Sequence, residues 1–205
     1  MNKFDAQLID VGTGNLHSVY NALLKLGYII HITSSPHDLM RTSRFVLPGV
    51  GAFGSFMEGV EKLDMYESIK EIAARGDLLL GICVGMQALF DFSEEMGHYR
   101  GMGIIPGKVI RFPDLGELKV PHTGWNQLWH KGSSNMFNDI PDGSYAYFNH
   151  SYYCLPDDER HVILETDYGI NYCSAVQSEN VFGVQFHPEK SQRIGQQLLT
   201  NFFSK

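Results

Sequence analysis

The sequence has few cysteines, modest charge and no cluster of basic residues. Its three cysteines, Cys83, Cys154 and Cys173, show no paired spacing. This argues against a disulfide framework and against a zinc site, and it favours a reducing compartment. The 16 Lys and Arg residues are scattered among 23 Asp and Glu residues, which gives a net charge of −7. We therefore expect neither nucleic acid nor an anionic membrane as a partner.

Long apolar runs and flexible linkers are missing as well. No stretch reaches the length of a transmembrane helix, and the first ten residues carry no apolar signal segment, so a cytoplasmic protein is expected. No repeat, low-complexity run or linker rich in Pro, Gly or Ser divides the chain. Since 205 residues with 43% hydrophobic content are enough to bury a core, we predict one domain over residues 1–205.

Strands and helices alternate in the first half of the chain. The apolar pattern predicts strands at 6–11, 28–32, 45–47 and 78–83, with helices at 16–26, 55–60 and 65–74, a short helix starting at 35, and a helix from 86 to about 92. After Gly97 strands predominate, at 103–112, 124–129, 145–148, 161–166, 172–177 and 181–186, before a last helix at 194–203. This predicts a doubly wound α/β fold, with a mostly parallel central sheet flanked by helices and an antiparallel extension.

The segment Gly81-Ile82-Cys83-Val84-Gly85 follows an apolar run and precedes a helical pattern. It has the form of a nucleophile elbow, a strained turn that presents its central side chain at the carboxyl end of a strand. The start of the following helix would favour a thiolate at Cys83. The alternative is a cysteine that acts as a small buried hydrophobe. The two flanking glycines favour the nucleophile, because a core strand has no reason to be interrupted twice around one cysteine.

Two glycine-rich turns follow other predicted strands. In Pro48–Gly54, closely spaced glycines leave backbone N–H groups free to stabilise an oxyanion, although an ordinary flexible turn is the alternative. The turn Gly12-Thr13-Gly14-Asn15 lacks the third glycine of a dinucleotide fingerprint, so a tight strand-to-helix turn is the better interpretation.

A base for Cys83 is predicted at the end of another apolar strand. His187 ends the run Val181–Phe186 and is followed by Pro188 and Glu189. If that strand is parallel to the Cys83 strand, the imidazole lies at the same sheet edge. Glu189 can then accept the imidazole N–H and fix its tautomer. The alternative is a histidine that merely ends the strand beside a solvated glutamate.

These segments, 81–87 and 185–191, resemble the motifs of the class I, or triad, glutamine amidotransferases. The resemblance implies a flavodoxin-like fold and a Cys83–His187–Glu189 triad acting on L-glutamine. It implies an oxyanion held by the N–H groups of Val50 and Val84. By the same resemblance, glutamine is held by Gly51, Gln87, Glu95, Ser151 and Tyr152, with Glu94 as the alternative to Glu95.

Two longer segments, 119–126 and 147–152, narrow the resemblance within that family. They are similar to glutaminase subunits that form a heterodimer with a (β/α)8 cyclase subunit of histidine biosynthesis and pass ammonia into it. Neither a metal nor an organic cofactor is implied. The residues expected at the partner interface are Asn15, Pro121, Trp125, Asn126 and Lys190.

Two other functions stay open at this point. A paralogous glutaminase could supply ammonia to a sugar amidotransferase of surface polysaccharide biosynthesis, since Thr13, Thr123 and Ser151 depart from the commoner pattern. A flavodoxin-like interaction module without catalysis is the other, although the intact triad argues against it. The presence of histidine or polysaccharide genes beside this one would distinguish the first alternative from a histidine-pathway subunit. Labelling of Cys83 by a glutamine-analogue electrophile would distinguish an enzyme from the non-catalytic module.

Overall fold

The computed structural model describes residues 4–13, 15–39 and 42–204, so Gly14 of the first glycine turn lies outside the described residues. Strands and helices alternate in the first half of the chain, as predicted. The elements are β1 (Ala6–Ile9), α1 (Leu16–Lys25), β2 (Ile30–Thr33), β3 (Arg44–Gly49), α2 (Phe53–Lys62), α3 (Tyr66–Ala74), β4 (Leu78–Cys83) and α4 (Val84–Gln87). The short helix expected after Ser35 is a 3-10 turn, Pro36–Asp38.

The second half of the chain is dominated by strands and ends in one helix. Its elements are β5 (Phe92–Ser93), β6 (Tyr99–Arg100), β7 (Gly107–Arg111), β8 (His122–His130), β9 (Ser144–His150), β10 (Tyr152–Pro156), β11 (Val162–Asp167), β12 (Asn171–Ser178), β13 (Val181–Val184) and α5 (Gln192–Phe203). The strand β10 and the two-residue strands β5 and β6 were not predicted from the sequence.

One continuous sheet has a parallel centre and an antiparallel extension. Its strand order begins β2-β1-β3-β4-β13, and every neighbour in that part is parallel. From β13 the sheet continues through antiparallel pairs to β12, β10 and β7, while β11, β8 and β9 branch from β12. The predicted architecture is therefore confirmed.

The parallel strands are buried on both faces because amphipathic helices cover them. Strand β3 buries Phe45, Val46 and Leu47 completely, as expected of strands that lie between two helical layers. Helix α1 turns Val19 and Leu23 inward and is followed, after its C-cap residue, by Gly27. The φ of +90° at Gly27 confirms the predicted glycine at the helix end. Among the described residues, no helix is long and apolar enough to cross a membrane.

The prediction of a helix from 86 to about 92 is wrong. Helix α4 ends at Gln87, because the next carbonyl groups are taken by a distant segment. The carbonyl oxygens of Ala88, Leu89 and Phe90 accept hydrogen bonds from the N–H groups of residues 102–105. Because these carbonyl groups do not accept hydrogen bonds from a following helical turn, the helix stops and the chain continues into β5.

Candidate active site

Cys83 lies at the junction of β4 and α4 in a strained backbone conformation. Its φ of 55° and ψ of −111° are unusual for a residue with a side chain. The glycines on either side permit close packing there. A Cβ on Gly85 would overlap the carbonyl oxygen of Leu47, and a Cβ on Gly81 would lie 2.6 Å from the carbonyl oxygen of Gly85. The geometry is that of the predicted elbow.

His187 reaches the same sheet edge because its strand is parallel to the Cys83 strand. Val184 of β13 lies opposite Ile82 of β4, so the chain beyond β13 continues beside Cys83. The His187 Nδ1 is 2.9 Å from Glu189 Oε1, and both side chains are almost completely buried. Since Nδ1–H donates to the carboxylate, Nε2 is left for the hydrogen bond with Cys83.

The charges around His187 favour its protonated form. Burial alone would lower the pKa of His187, but hydrogen bonds to Cys83 and Glu189 and their negative charges raise it to about 10. A protonated imidazole between a carboxylate and a sulfur is the charge pattern of a thiolate–imidazolium pair. The site can therefore supply a nucleophile and, at Nε2, a proton for a leaving group.

Two further buried residues, for which the sequence predicted no role, hold this arrangement. Gln185 donates from Nε2 to the Cys83 sulfur at 3.8 Å. Ser191 joins the His187 turn to β9, since its Oγ accepts the Tyr147 N–H at 3.0 Å and donates to the His187 carbonyl at 2.6 Å. A signal for Gln185 was present, because a glutamine ends an apolar strand two residues before His187, on the same side of the extended chain.

The triad opens into a polar cavity of about 390 Å³. Glu95 reaches this cavity, where its carboxylate accepts the Phe53 N–H at 2.7 Å, whereas Glu94 pairs with Lys108 at 3.4 Å. The residues around the cavity include the predicted oxyanion and glutamine positions. The lining consists of Asn15, Val50, Gly51, Cys83, Val84, Gln87, Glu95, Asn149, His150, Ser151, Tyr152, His187 and Lys190.

Of the residues predicted at the partner interface, Asn15, Trp125 and Lys190 lie around the mouth of the cavity, and Asn126 lies elsewhere. Asn15 and Lys190 line the cavity, and Lys190 Nζ lies 5.5 Å above the Tyr147 ring. The Trp125 ring packs edge-on against Tyr147 and is 46% exposed, so these groups form one surface at the mouth of the cavity. Pro121 is exposed and lies immediately before β8, the strand that carries Trp125.

Asn126 lies on the other side of β8 from Trp125. Its side-chain amide donates to the Asp167 carbonyl at 2.8 Å and contacts His122 Nε2 at 3.3 Å. A partner contact through this side chain stays a prediction. Within the part of the chain that the structure describes, no group of three His, Cys, Asp or Glu side chains could hold a metal ion.

A cysteine elbow with a His–Glu pair at the edge of a parallel sheet is the geometry of an enzyme that attacks a carbonyl group with a thiolate. The family model for class-I glutamine amidotransferases matches residues 7–205, so the chain belongs to that family. Within it, curated relatives share close to half of the sequence. Subunit HisH of imidazole glycerol phosphate synthase from Geobacter metallireducens is 46% identical over 200 residues, covering 95% of each chain.

Two further HisH subunits agree. The Moorella thermoacetica subunit is 45% identical and covers 95% of this chain and 92% of its own length. The Aquifex aeolicus subunit is 45% identical and covers 97% of this chain and 95% of its own length. At this identity and coverage the chain groups with HisH within the class-I family.

Solved structures show the same fold at lower identity. A crystal structure of a glutamine amidotransferase superimposes with a TM-score of 0.75 at 16% identity, covering 97% of both chains. The PurLQS structure from Thermotoga maritima gives a TM-score of 0.76 at 20% identity, again covering 97% of both chains. These likenesses confirm the predicted fold class.

Proposed function

We propose that the chain hydrolyses L-glutamine to glutamate and ammonia, as the glutaminase subunit of imidazole glycerol phosphate synthase in histidine biosynthesis. The observation that carries the proposal is the buried Cys83–His187–Glu189 arrangement, with His187 Nδ1 held at 2.9 Å from the Glu189 carboxylate. Family membership over residues 7–205 supports the same activity. The active unit is one domain over residues 1–205, and the reaction takes place in the cytoplasm.

The reaction begins with the proton already on His187. The Cys83 thiolate attacks the side-chain amide carbon of glutamine, and the N–H groups of Val84 and Val50 hold the resulting oxyanion. Loss of one such donor typically raises a barrier by about 3 kcal/mol. The imidazolium of His187 protonates the departing ammonia as the tetrahedral intermediate collapses to a γ-glutamyl thioester. His187 then acts as the base for the water that releases glutamate.

The cavity fits the rest of the substrate. The Glu95 carboxylate is the partner for the α-ammonium group, because it lines the cavity while Glu94 is directed to Lys108. Gly51, Ser151 and Tyr152 hold the substrate through backbone groups. Gln87 supports the pocket, since its Nε2 donates to the Tyr152 carbonyl at 3.1 Å.

A second subunit is needed because ammonia released into water would be protonated and lost. We place a (β/α)8 cyclase subunit on the surface formed by Trp125, Tyr147 and Lys190, with Asn15, Pro121 and Asn126 as further contacts. In the barrel, ammonia and a phosphoribulosyl formimino carboxamide nucleotide give imidazole glycerol phosphate and aminoimidazole carboxamide ribotide. The glutaminase steps themselves use only groups of this chain and require neither a metal nor an organic cofactor.

The test is glutamate release from glutamine by the purified chain, alone and with the cyclase from the same organism plus its nucleotide. Stimulation by cyclase and nucleotide that is absent in Cys83→Ala is the expected result. If Cys83 reacts with a glutamine-analogue electrophile but the cyclase gives no stimulation, the glutaminase stands and its acceptor is another enzyme, such as a sugar amidotransferase. If Cys83 does not react even with partner bound, the glutaminase proposal is wrong.

A further inference from the structure

Two histidines and a tyrosine form a buried polar cluster that extends from the cavity wall, where His150 lies, into the protein. His122 of β8 and His150 of β9 lie directly opposite each other in the strand register, and the hydroxyl group of Tyr172 lies between their rings. The Tyr172 oxygen is 3.1 Å from His122 Nδ1 and 3.2 Å from His150 Nε2. All three side chains are at most 6% exposed. None of them has a role in the chemistry described above.

The direction of each hydrogen bond in this cluster follows from the Tyr152 carbonyl oxygen, which lies at one end of the series and can only accept. The His150 Nδ1 is 2.8 Å from the Tyr152 carbonyl oxygen, and since a carbonyl only accepts, Nδ1 carries the hydrogen. Burial lowers the pKa of His150 to about 3, even though the bond to Tyr152 raises it. The ring is therefore neutral at pH 7, and its Nε2 must accept the hydroxyl hydrogen of Tyr172.

The series of hydrogen bonds continues from Tyr172 to His122 in β8. Because the Tyr172 hydroxyl donates to His150, its oxygen accepts from His122 Nδ1–H. Burial lowers the pKa of His122 to about 4, so this ring is also neutral and its Nε2 accepts. The donor is the side-chain amide of Asn126, whose Nδ2 lies 3.3 Å away. One unbroken series of donors thus runs from Asn126 to the Tyr152 carbonyl.

The end of this series is the corner that borders the glutamine cavity. Ser151 is the single residue between β9 and β10, and both it and Tyr152 line the cavity. The Tyr152 carbonyl accepts from His150 and from Gln87, so both of its lone pairs are used. The Ser151 carbonyl accepts the Phe112 N–H at 3.1 Å. The backbone of the corner is therefore fixed by three donors.

We propose that His150 is a positioning residue for the glutamine site, holding the Ser151–Tyr152 backbone through Nδ1–H, with Tyr172 and His122 fixing its tautomer. This rests on the proposed function, because the corner matters only if glutamine binds against it. The Nδ1–H tautomer is the less common one for a free imidazole in water. The fixed series of donors therefore selects a form that the ring would not adopt by itself.

Two substitutions of His150 separate its two nitrogens. His150→Asn keeps an amide donor near the position of Nδ1, whereas His150→Gln places its amide near the position of Nε2. With the cyclase and its nucleotide present, we expect His150→Gln to raise KM for glutamine about tenfold, as for the loss of one buried hydrogen bond, with kcat changed less. His150→Asn should keep KM within about twofold of the wild type. Iodoacetamide enters the cavity but is too small to need the Ser151–Tyr152 corner for binding, so it should alkylate Cys83 at equal rates in all forms.

The tautomers can be measured without any substrate. Nitrogen-15 NMR of labelled histidine should show His150 and His122 protonated at Nδ1 at pH 7. In Tyr172→Phe, the His150 Nε2 resonance should move toward that of an imidazole nitrogen without a hydrogen bond, because the hydroxyl donor is lost while Nδ1–H still donates to the Tyr152 carbonyl. Protonation at Nε2 in the wild type would overturn the proposal.

Kinetics distinguish the possible failures. Equal KM values in wild type, His150→Asn and His150→Gln would overturn the positioning role, and so would equal increases in both variants with equal losses of melting temperature. If the wild type neither hydrolyses glutamine nor reacts with a glutamine-analogue electrophile, the proposed function fails and the positioning role fails with it. An active wild type with unaffected variants removes the positioning role alone.

Discussion

The backbone conformation of Cys83 depends on glycines whose neighbours are backbone atoms rather than side chains. Gly85 packs against the carbonyl group of Leu47 in β3, and Gly81 packs against Gly85 itself. A backbone carbonyl in a paired strand cannot rotate out of the way, so a methyl group at Gly85 must displace the strand or the elbow. The requirement for glycine is therefore a property of packing as much as of φ and ψ.

We predict that Gly85→Ala lowers the free energy of unfolding by about 3 kcal/mol, the upper end of the usual range for overpacked core positions, because the clash is with backbone atoms. Gly54→Ala is the matched control, because the three atoms nearest to its Cβ all belong to the ring of Tyr99, which is 37% exposed and can move. Gly54 lies inside α2, where alanine is favoured over glycine, so its stability should be unchanged or higher. Urea unfolding measures both, and a similar loss in the two variants would contradict the packing argument.

The residues most visible in the sequence are those with a local motif. Cys83 is marked by its two glycines, and His187 and Glu189 are marked by the end of an apolar strand. Gln185 ends the same apolar strand as His187, but neither it nor Ser191 shows in the sequence which group it contacts, because their partners come from β4 and β9, far away in the chain. Their positions became evident only when the fold brought those strands together.

At the scale of elements, the parallel half of the fold was predictable and the connections to the extension were not. Alternating apolar strands and amphipathic helices specify the parallel half locally. Helix α4 was predicted too long because residues 102–105 capture the carbonyl groups that would continue it. Strand β10 was missed because apolar and polar residues do not alternate clearly over Tyr152–Pro156. Only one residue separates this strand from β9. Both errors come from hydrogen bonds to segments that lie outside the element itself, which a local sequence pattern does not show.

The opposed histidines of β8 and β9 predict a loss of stability in acid. Below pH 6.5 both are protonated in the unfolded chain, whereas in the fold they stay neutral until the pH approaches their lowered pKa values of about 4 and 3. The unfolded state then binds more protons, so the free energy of unfolding falls as the pH drops from 6.5 to 4. The contribution is about 1.4 kcal/mol per pH unit for each histidine.

Urea unfolding at pH 7, 6 and 5 measures this slope. His150→Asn should reduce it by about one histidine's share, while His37→Asn, which removes an exposed histidine, should leave it unchanged. His187 adds little at pH 6 and 5, because its pKa is raised to about 10 and it is largely protonated in both states there. Near pH 7 only the folded state holds this proton, so His187 opposes the slope at that end of the range. An identical slope in wild type and His150→Asn would show that His150 is not held neutral.

At the scale of the whole molecule, the site lies where the parallel centre meets the antiparallel extension. The parallel strands β4 and β13 supply Cys83 and His187, and the extension supplies the Ser151–Tyr152 corner. The nucleophile thus comes from one part of the sheet and the substrate pocket is completed by another. The sequence motifs predicted the members of this site, but only the strand order places them around one cavity.

Two tryptophans of β8 are exposed to a similar extent, but only one of them lies beside the site. Trp125 and Trp129 lie on the same side of β8 and are 46% and 45% exposed. Trp125 packs against Tyr147, whose ring is 6.4 Å from the His187 ring. Trp129 instead approaches Gly143 and a cavity away from the triad. A subunit that receives ammonia from Cys83 must cover the first tryptophan and has no need to cover the second.

We therefore predict that Trp125→Ala weakens binding of the cyclase subunit by about 30-fold, as expected for a central aromatic anchor worth about 2 kcal/mol. Trp129→Ala should bind as the wild type does, and iodoacetamide should alkylate Cys83 equally in both variants, because neither tryptophan touches the triad. Isothermal titration calorimetry with the cyclase measures the two affinities. Equal weakening by both substitutions would mean that the partner covers the whole of β8, and weakening by Trp129→Ala alone would place it away from the mouth of the cavity, where ammonia could not pass directly into it.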